Sequence, residues 1–376
     1  MYFLNGERIY IKPKNGCKSF DEQIQDCFQQ LSEINTGQKI FKLNFFVKTS
    51  SKQEYIALFT RLEKEVLTHF ASPVIFSLLA QSPLTCKVIV EACYYDPEEW
   101  YFEFLGNRNG GAALFKKNDT LILIGNTQSY SFSGIKQNSE NAFVVLTDIF
   151  TKANFPVKTI VRQWNYIEDI LGFDGANQRY QLFNNVRTGV YGNTFSEKGY
   201  PSATGIGMNH GGVLIEYIAI KSSEYKTIPI DNPKQISAHT YGDGVLVGEE
   251  YSYRATPKFE RARYVELFNK KLIFISGTAS IVGEKTVGVG DAIEQTKITI
   301  NNMEQLYSNG ALKEISDFNA NTKYGHARVY IKRKSDFANI KKTFESHFGK
   351  LPVVYIIADI CREDLLVEIE GEVILE

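Results

Sequence analysis

The stretch PVVYIIADICREDLLVEIEGEVI, residues 352–374, decides how the chain is read. It joins an apolar strand pattern, across a polar break at 361–364, to a second strand carrying Glu368 and Glu370. Two weaker versions lie upstream, LLAQSPLTCKVIVEACYY (78–95) and GIGMNHGGVLIEYIAI (205–220). All three run short strand, polar turn, closing strand. Each closing strand sets an aliphatic residue before a glutamate: Val90-Glu91, Ile215-Glu216 and Val367-Glu368. Self-similarity of this kind makes a threefold internal repeat the first reading of the fold.

The same order of elements precedes each closing segment. YFLNGERIYI (2–11) has the pattern of a hairpin around Asn5-Gly6. Ser19 to Glu22 has capping-box spacing before a helix whose inward positions are Ile24, Cys27, Phe28, Leu31 and Ile34. FKLNFFVK (41–48) reads as a strand, and Ser51 to Glu54 repeats the capping signal before a second helix with Tyr55, Phe59, Leu62, Val66 and Phe70 inward. Further on come the strand TLILIGNTQS (120–129), the helix NAFVVLTDIFTKA (141–153), the strand and turn of 157–170, and the helix RYQLFNNVRTGVY (179–191). The third round has KLIFISGTASIVG (271–283), a helix capped by Asp291, the strand ARVYIKR (327–333), and a helix through Phe337, Ile340, Phe344 and Phe348. LILIGNTQS and LIFISGTAS nearly superimpose.

The expected class is therefore α+β. Three β-β-α-β-α-β-β units occupy 1–95, 110–221 and 263–376, with 222–262 as the connection. A mixed sheet with two helices on one face leaves its other face in need of cover. Three such units in one chain supply it by closing into a pseudo-threefold, barrel-like ring with helices outside, and a monomer then suffices.

Composition narrows the function. Net charge is −1 with both signs interspersed, so no broad surface for nucleic acid or membrane is expected. Five cysteines without CxxC spacing, and no secretory or transmembrane segment, favour free thiols in a reducing cytoplasm. Five histidines never fall in an H-x-x-x-H pair, so no metal is expected. Nor is there a P-loop, a GxGxxG after a strand, or a GxSxG, and no cofactor is expected. His210, His239 and His326 are each lone and read as structural.

At SGTASIVG (276–283), GDAIEQTKITINNMEQL (290–306) and VEIEGEV (367–373) the third unit resembles the RidA superfamily, trimers with ligand clefts between subunits. Imine deaminases of that family carry Pro-x-Arg before the closing strands. Here the position two after the proline holds Ile75, Ala203 or Val354, so the arginine is missing from every unit. A closer resemblance spans 162–370. RQWNYI (162–167), the RY…F…R run (179–187), YPSATGIG (200–207), NPKQISAHTY (232–241), YSYRATPKFERA (251–262), SGTASIVG and CREDLLVEIEG (361–371) follow the order seen in chorismatases, chorismate-cleaving enzymes formed from fused RidA-like units.

That resemblance implies a substrate with two carboxylates and an enol-ether methylene. Releasing pyruvate from it requires a proton on that methylene, and water or an internal oxygen then traps the oxocarbenium ion. The acid should be a carboxyl whose pKa is raised by an enclosed site. The resemblance places it at Glu368; on residues alone Glu368 reads as a strand glutamate at a rim. Glu370 lies on the same face two residues on. Two carboxylates favour planar, bidentate cations. Arg254 is first, because long connections inside compact proteins are usually functional. Arg187 and Arg179 follow, and either can instead pair with a surface acid. Tyr180, Tyr200 and Tyr253 are candidate hydrogen-bond donors, and Thr204, Gly277 and Thr278 candidate lining, the glycine allowing close approach.

A cysteine such as Cys361 is by default a small buried hydrophobe. In the resembled family one at this spacing accompanies the branch forming 3-hydroxybenzoate rather than a dihydroxycyclohexadiene carboxylate, which gives the thiol a part in rearrangement or aromatisation. The site is expected at the seam between units two and three. The competing readings are an imine or enamine deaminase and a non-catalytic small-molecule-binding protein.

Overall fold

Local signals place the helices, and long-range pairing overrides them at the start of the chain. In the computed structural model, which describes residues 1–34, 37–70, 72–107, 109–242, 244, 246–247, 253–315 and 321–376, the hairpin expected around Asn5-Gly6 does not form. Residues 2–4 coil into a single 3₁₀ turn that buries Phe3 and Leu4, and Asn5 takes φ 52°. The Met1 amino group donates to the Gly6 carbonyl at 2.6 Å. Gly6 is pressed so close to Tyr94 that a Cβ would fall 1.7 Å from its carbonyl oxygen, so the chain runs on along a distant strand rather than turning back.

The first sheet holds β1 (Arg8–Ile11), β2 (Lys39–Val47), β3 (Ile75–Leu79) and β4 (Val88–Tyr95), with α1 (Phe20–Glu33) and α2 (Lys52–His69) between them. At α1 the full capping box forms: the Ser19 hydroxyl accepts from Glu22 N, and the Glu22 carboxylate accepts from Ser19 N. At α2 only half forms. Ser51 caps Glu54 N, but the Glu54 carboxylate turns to Ser50.

The second sheet holds β5 (Tyr101–Asn107), β6 (Gly110–Lys117), β7 (Thr120–Ser129) and β8 (Ile160–Glu168), with α3 (Gly134–Lys152) before β8. A short ribbon of β9 (Phe173–Asp174) and β10 (Asn177–Gln178) then leads into α4 (Arg179–Tyr191), followed by β11 (Ser202–Met208) and β12 (Val213–Lys221) of the sheet. Helix α3 begins before the expected Asn141 because Ile135, Asn138 and Ser139, in a mostly polar run, also turn inward.

The third sheet takes β13 (Lys226–Ile230), β14 (Ala262–Leu267) and β15 (Lys270–Ala279). After the ribbon β16 (Ile281–Val282) and β17 (Lys285–Thr286) come α5 (Ala292–Gln305), α6 (Asn309–Ile315), β18 (Thr322–Ile331), α7 (Phe337–Phe348), β19 (Val353–Ile357) and β20 (Val367–Leu375). The connection 222–262 is thus not all loop, since β13 adds an edge strand.

The sheet orders are β1-β4-β2-β3, β11-β8-β12-β7-β6-β5 and β13-β14-β15-β20-β18-β19. In each, the closing strand (β4, β12 or β20) lies antiparallel between an opening strand and the strand after the first helix. The strand after the second helix then runs parallel to the latter. The sheets do not join into the expected closed barrel. A barrel needs a continuous ladder between sheet edges, and among the described residues those edges meet only through isolated bridges such as Pro83 with Ile356 and Ser202 with Glu260. Cover comes from face-to-face packing instead: Phe45, Tyr166, Ile206, Phe274, Tyr330 and Val354, from all three sheets, share one core.

Charge is buried where the inner faces converge. Lys42 of β2 pairs with Glu216 of β12 at 2.8 Å, and Arg8 of β1 with Glu372 of β20 at 2.8 Å. Arg162 of β8 reaches Glu370 at 2.5 Å, while Arg328 of β18 contacts both Glu91 and Glu370. Such pairs are costly to break singly because the orphaned ion stays buried. Lys42→Met should destabilise the fold by about 3–5 kcal/mol, and Lys42→Met with Glu216→Gln should recover much of that loss. Urea unfolding of the three proteins measures both.

Candidate active site

Strand β20 puts Glu368 and Glu370 on one inward face, 4% and 1% exposed. Glu368 stands opposite Tyr330 on β18 and Ala279 on β15, and the β15 pairing is broken by a bulge between Ile275 and Thr278. Gly277 sits in that bulge. A Cβ on it would lie 2.2 Å from Glu368 Oε1, so the carboxyl rests against bare backbone. Gly277 N donates to Thr204 Oγ1 at 3.0 Å, and Thr204 in turn donates to Glu370. One hydroxyl of β11 therefore fixes both the bulge and the second glutamate.

The two glutamates have unequal surroundings. Glu370 accepts from Arg162 at 2.5 Å, Trp164 Nε1 at 2.8 Å, Tyr330 OH at 3.1 Å and Arg328 at 3.3 Å, besides Thr204. Glu368 has no ion-pair partner among the described residues. Burial first, and then the negative charge of Glu370, push its pKa up to about 8, against the opposing pull of Arg162 and Arg261. Adjacent carboxyls with such different environments divide the labour: one holds charge and the other holds a proton.

Glu368 opens into a cavity of about 720 Å³ between the second and third sheets. Ala203, Gly205 and Gly277 form its floor, and Tyr180 of α4 leans over Gly205, where a Cβ would lie 3.1 Å from the tyrosine ring. Burial raises the Tyr180 hydroxyl, and burial followed by the charge of Glu368 pushes the Cys361 thiol up to about 12. Cys361 is thus a thiol rather than a thiolate at neutral pH. Two guanidinia face the space. Arg261 donates to Ile236 O at 2.7 Å and Tyr241 OH at 2.6 Å, and Arg362 donates to Glu284 O at 2.6 Å. The Tyr241 ring lies between them, 5.5 and 5.4 Å from their centres. Neither makes an ion pair among the described residues, although Glu284, Glu363 and Asp364 also line the cavity.

Comparison with known proteins identifies the family. The sequence profile described as chorismatase FkbO/Hyg5-like, N-terminal, matches residues 105–219. A 3-hydroxybenzoate synthase of Streptomyces hygroscopicus is 32% identical over 242 residues, covering 62% of this chain and 68% of that protein. This chain belongs to the chorismatase family. A chorismatase of Streptomyces hygroscopicus is 26% identical over 268 residues, 68% of this chain and 75% of its own. A chorismatase crystal structure matches 98% of both chains with a TM-score of 0.72 at 20% identity, a likeness of fold.

Within this chorismatase fold the structure brings Glu368, Cys361, Tyr180 and Gly277 onto the cavity wall, with Thr204 directly behind Gly277. Thr278 bonds the Ser276 carbonyl beside the bulge. Arg187, itself on α4, is buried and donates to Asn184 Oδ1 at 2.7 Å, and Asn184 is a wall residue. Arg254 is not a wall residue; it donates to the Leu246 carbonyl at 3.1 Å from behind. Tyr253 is 68% exposed, and Tyr200 stacks on Tyr191 with its N–H on Glu260. Arg179 is tied to Asp174 and Asp169. Sequence reasoning missed Arg261, Arg362 and Tyr241. Arg261 lies in the same 251–262 block as Arg254, and Arg362 is adjacent to Cys361, but both stand just outside strands, where spacing gives no facing direction.

Gly277→Ala should cut turnover by about a hundredfold or more by displacing the carboxyl by roughly an ångström, with a melting temperature near that of the native protein; steady-state kinetics and calorimetry check this. A buried acid with a raised pKa contributes stability that is full below its ordinary value of 4.5 and lost as pH rises through about 8. Glu368→Gln should therefore melt roughly 3–6 °C above the native protein at about pH 9 and close to it at about pH 4.

Proposed function

We propose that this protein cleaves chorismate, with Glu368 protonating the enol-ether methylene and pyruvate and 3-hydroxybenzoate as products. The observation that carries the reading is a buried carboxyl, protonated near neutral pH, opening into a cavity lined by Arg261 and Arg362, neither held in an ion pair among the described residues. A small dianion completes that wall. Arg261 and Arg362 suit its carboxylates by position, and Arg187 supports the same side through Asn184.

The proton passes to the terminal carbon of the enolpyruvyl group, whose π electrons form the new C–H bond, and positive charge spreads onto the ether oxygen. Attack by water gives a hemiketal that collapses to pyruvate and a dihydrodiol. Attack by the neighbouring ring hydroxyl gives a cyclic ketal instead. Breaking that hydroxyl's bond to the ring, with loss of the adjacent ring proton, aromatises the ring, and the transferred oxygen becomes the carbonyl of pyruvate. The second route consumes no net water. The 32% identical relative, named for 3-hydroxybenzoate, and Cys361 beside Glu368 both favour it. A neutral thiol there fills the space where water would otherwise sit and assists the rearrangement without forming a covalent bond.

The shared strand order and directions of the three sheets also support reading them as fused copies of one RidA-like unit, with the site at one seam. A single chain, without a cofactor, meets the needs of this mechanism.

Incubation with chorismate, following pyruvate and aromatic product by chromatography, is the test. Glu368→Gln should lower kcat/KM by about 10²–10⁴-fold. The native rate should fall as pH rises through about 8, where the acid loses its proton. Cys361→Ala should shift product toward the dihydrodiol, with oxygen from labelled water appearing in it. A native protein inert toward chorismate would remove the reading.

A further inference from the structure

The first sheet gives the cavity no wall residue, yet a chain of buried charge runs from it to the candidate acid. Glu91 of β4 is 1% exposed and accepts from Arg328 Nη2, from Asn44 Nδ2 at 3.1 Å and, across an ion pair, from Arg8 at 3.4 Å. The other terminal nitrogen of Arg328 reaches Tyr166 OH at 2.6 Å and Glu370 at 3.3 Å. Glu370 is two residues from Glu368 on the same face of β20. Where the inner faces converge, the anions Glu91, Glu216, Glu370 and Glu372 pair with the cations Arg8, Lys42, Arg162 and Arg328. Glu368 is left outside that balance.

We propose that Glu91 and Arg328 are positioning residues through which the first sheet sets the protonation of Glu368. The inference rests on Glu368 being the acid of the reading above. The bifurcated guanidinium gives part of its charge to Glu91 and so does not fully neutralise Glu370, which keeps enough negative field to hold the neighbouring proton. Burial of ions is a poor source of stability compared with apolar packing of similar volume. An arginine that bridges two carboxylates from different sheets, beside a proton-holding third, is explained by tuning.

Glu284, Lys285, Glu363 and Asp364 line the same cavity, but the charges that act most on Glu368 are Glu370, Arg162 and Arg261. Glu370 lies on its own strand, Tyr330 opposite on β18, and Arg162 comes from β8. Arg261 precedes β14, Cys361 and Arg362 lie in the turn before β20, and Tyr180 projects from α4. Glu370, which bonds Arg328 directly, is the member of this set through which a change at Glu91 reaches Glu368. Removing the Glu91 charge leaves Arg328 to act wholly on Glu370, which makes the local field more positive and favours the ionised form of Glu368.

The experiment compares the native protein, Glu91→Gln and the milder Glu91→Asp by two readouts. One is the pH dependence of chorismate turnover. The other, without substrate, is infrared titration of the protonated carboxyl band that disappears in Glu368→Gln. The expected result is an alkaline limb and an infrared midpoint both moved about one pH unit acidward in Glu91→Gln, and less in Glu91→Asp. An unmoved midpoint accompanied by a lower melting temperature overturns the inference, because it leaves Glu91 and Arg328 only a structural part. If the native protein does not turn over chorismate, the substrate reading fails and the infrared midpoint alone decides, in the same two directions. If Glu91→Gln does not fold, Glu91→Asp carries the comparison on the same terms.

Discussion

Two carboxyl groups on one face of one strand, both removed from water, cannot both be ionised without large cost. That constraint organises this molecule. The structure resolves it by surrounding Glu370 with two guanidinia, an indole, a phenol and a threonine, and by leaving Glu368 with no ion-pair partner among the described residues. The groups around Glu370 come from the second and third sheets, so the asymmetry exists only where the sheets are packed together. A sheet alone would present both side chains to solvent.

Packing three similar sheets by their inner faces creates more than one seam, and the one between the second and third sheets carries the acid together with Arg261 and Arg362. A smaller hollow of about 330 Å³ between the first and second sheets is walled mainly by Phe59, Val66, Val74, Phe76 and Phe104. The same architecture is thus apolar at one junction and charged at another. The difference lies in side chains rather than in backbone course.

Much of the fold was legible because its signals are local. The capping residues of α1 and α5, the limits of α4 and the strand Thr120–Ser129 follow from spacing of apolar and capping positions over a few residues. The turn at Asn5-Gly6 was misread because its fate is set by Tyr94, far along the chain. The site divides similarly. The strand pattern alone placed Glu368 and Glu370 on one face, and their opposite roles depend on partners such as Arg162, separated from Glu370 by 208 positions. The two cavity arginines stand in quoted motifs, yet nothing in a one-dimensional pattern separates Arg261 from Arg254.

The floor of the cavity is main chain and small side chains, Ala203, Gly205 and Gly277, pressed on by Tyr180 and Glu368. Substitution at Gly205 or Gly277 can only take volume away, because no smaller residue than glycine exists. Any engineering toward bulkier ligands is therefore confined to the opposite side, where Tyr180, Tyr241 and Phe259 can be trimmed. The pocket is open to enlargement in one direction and closed in the other.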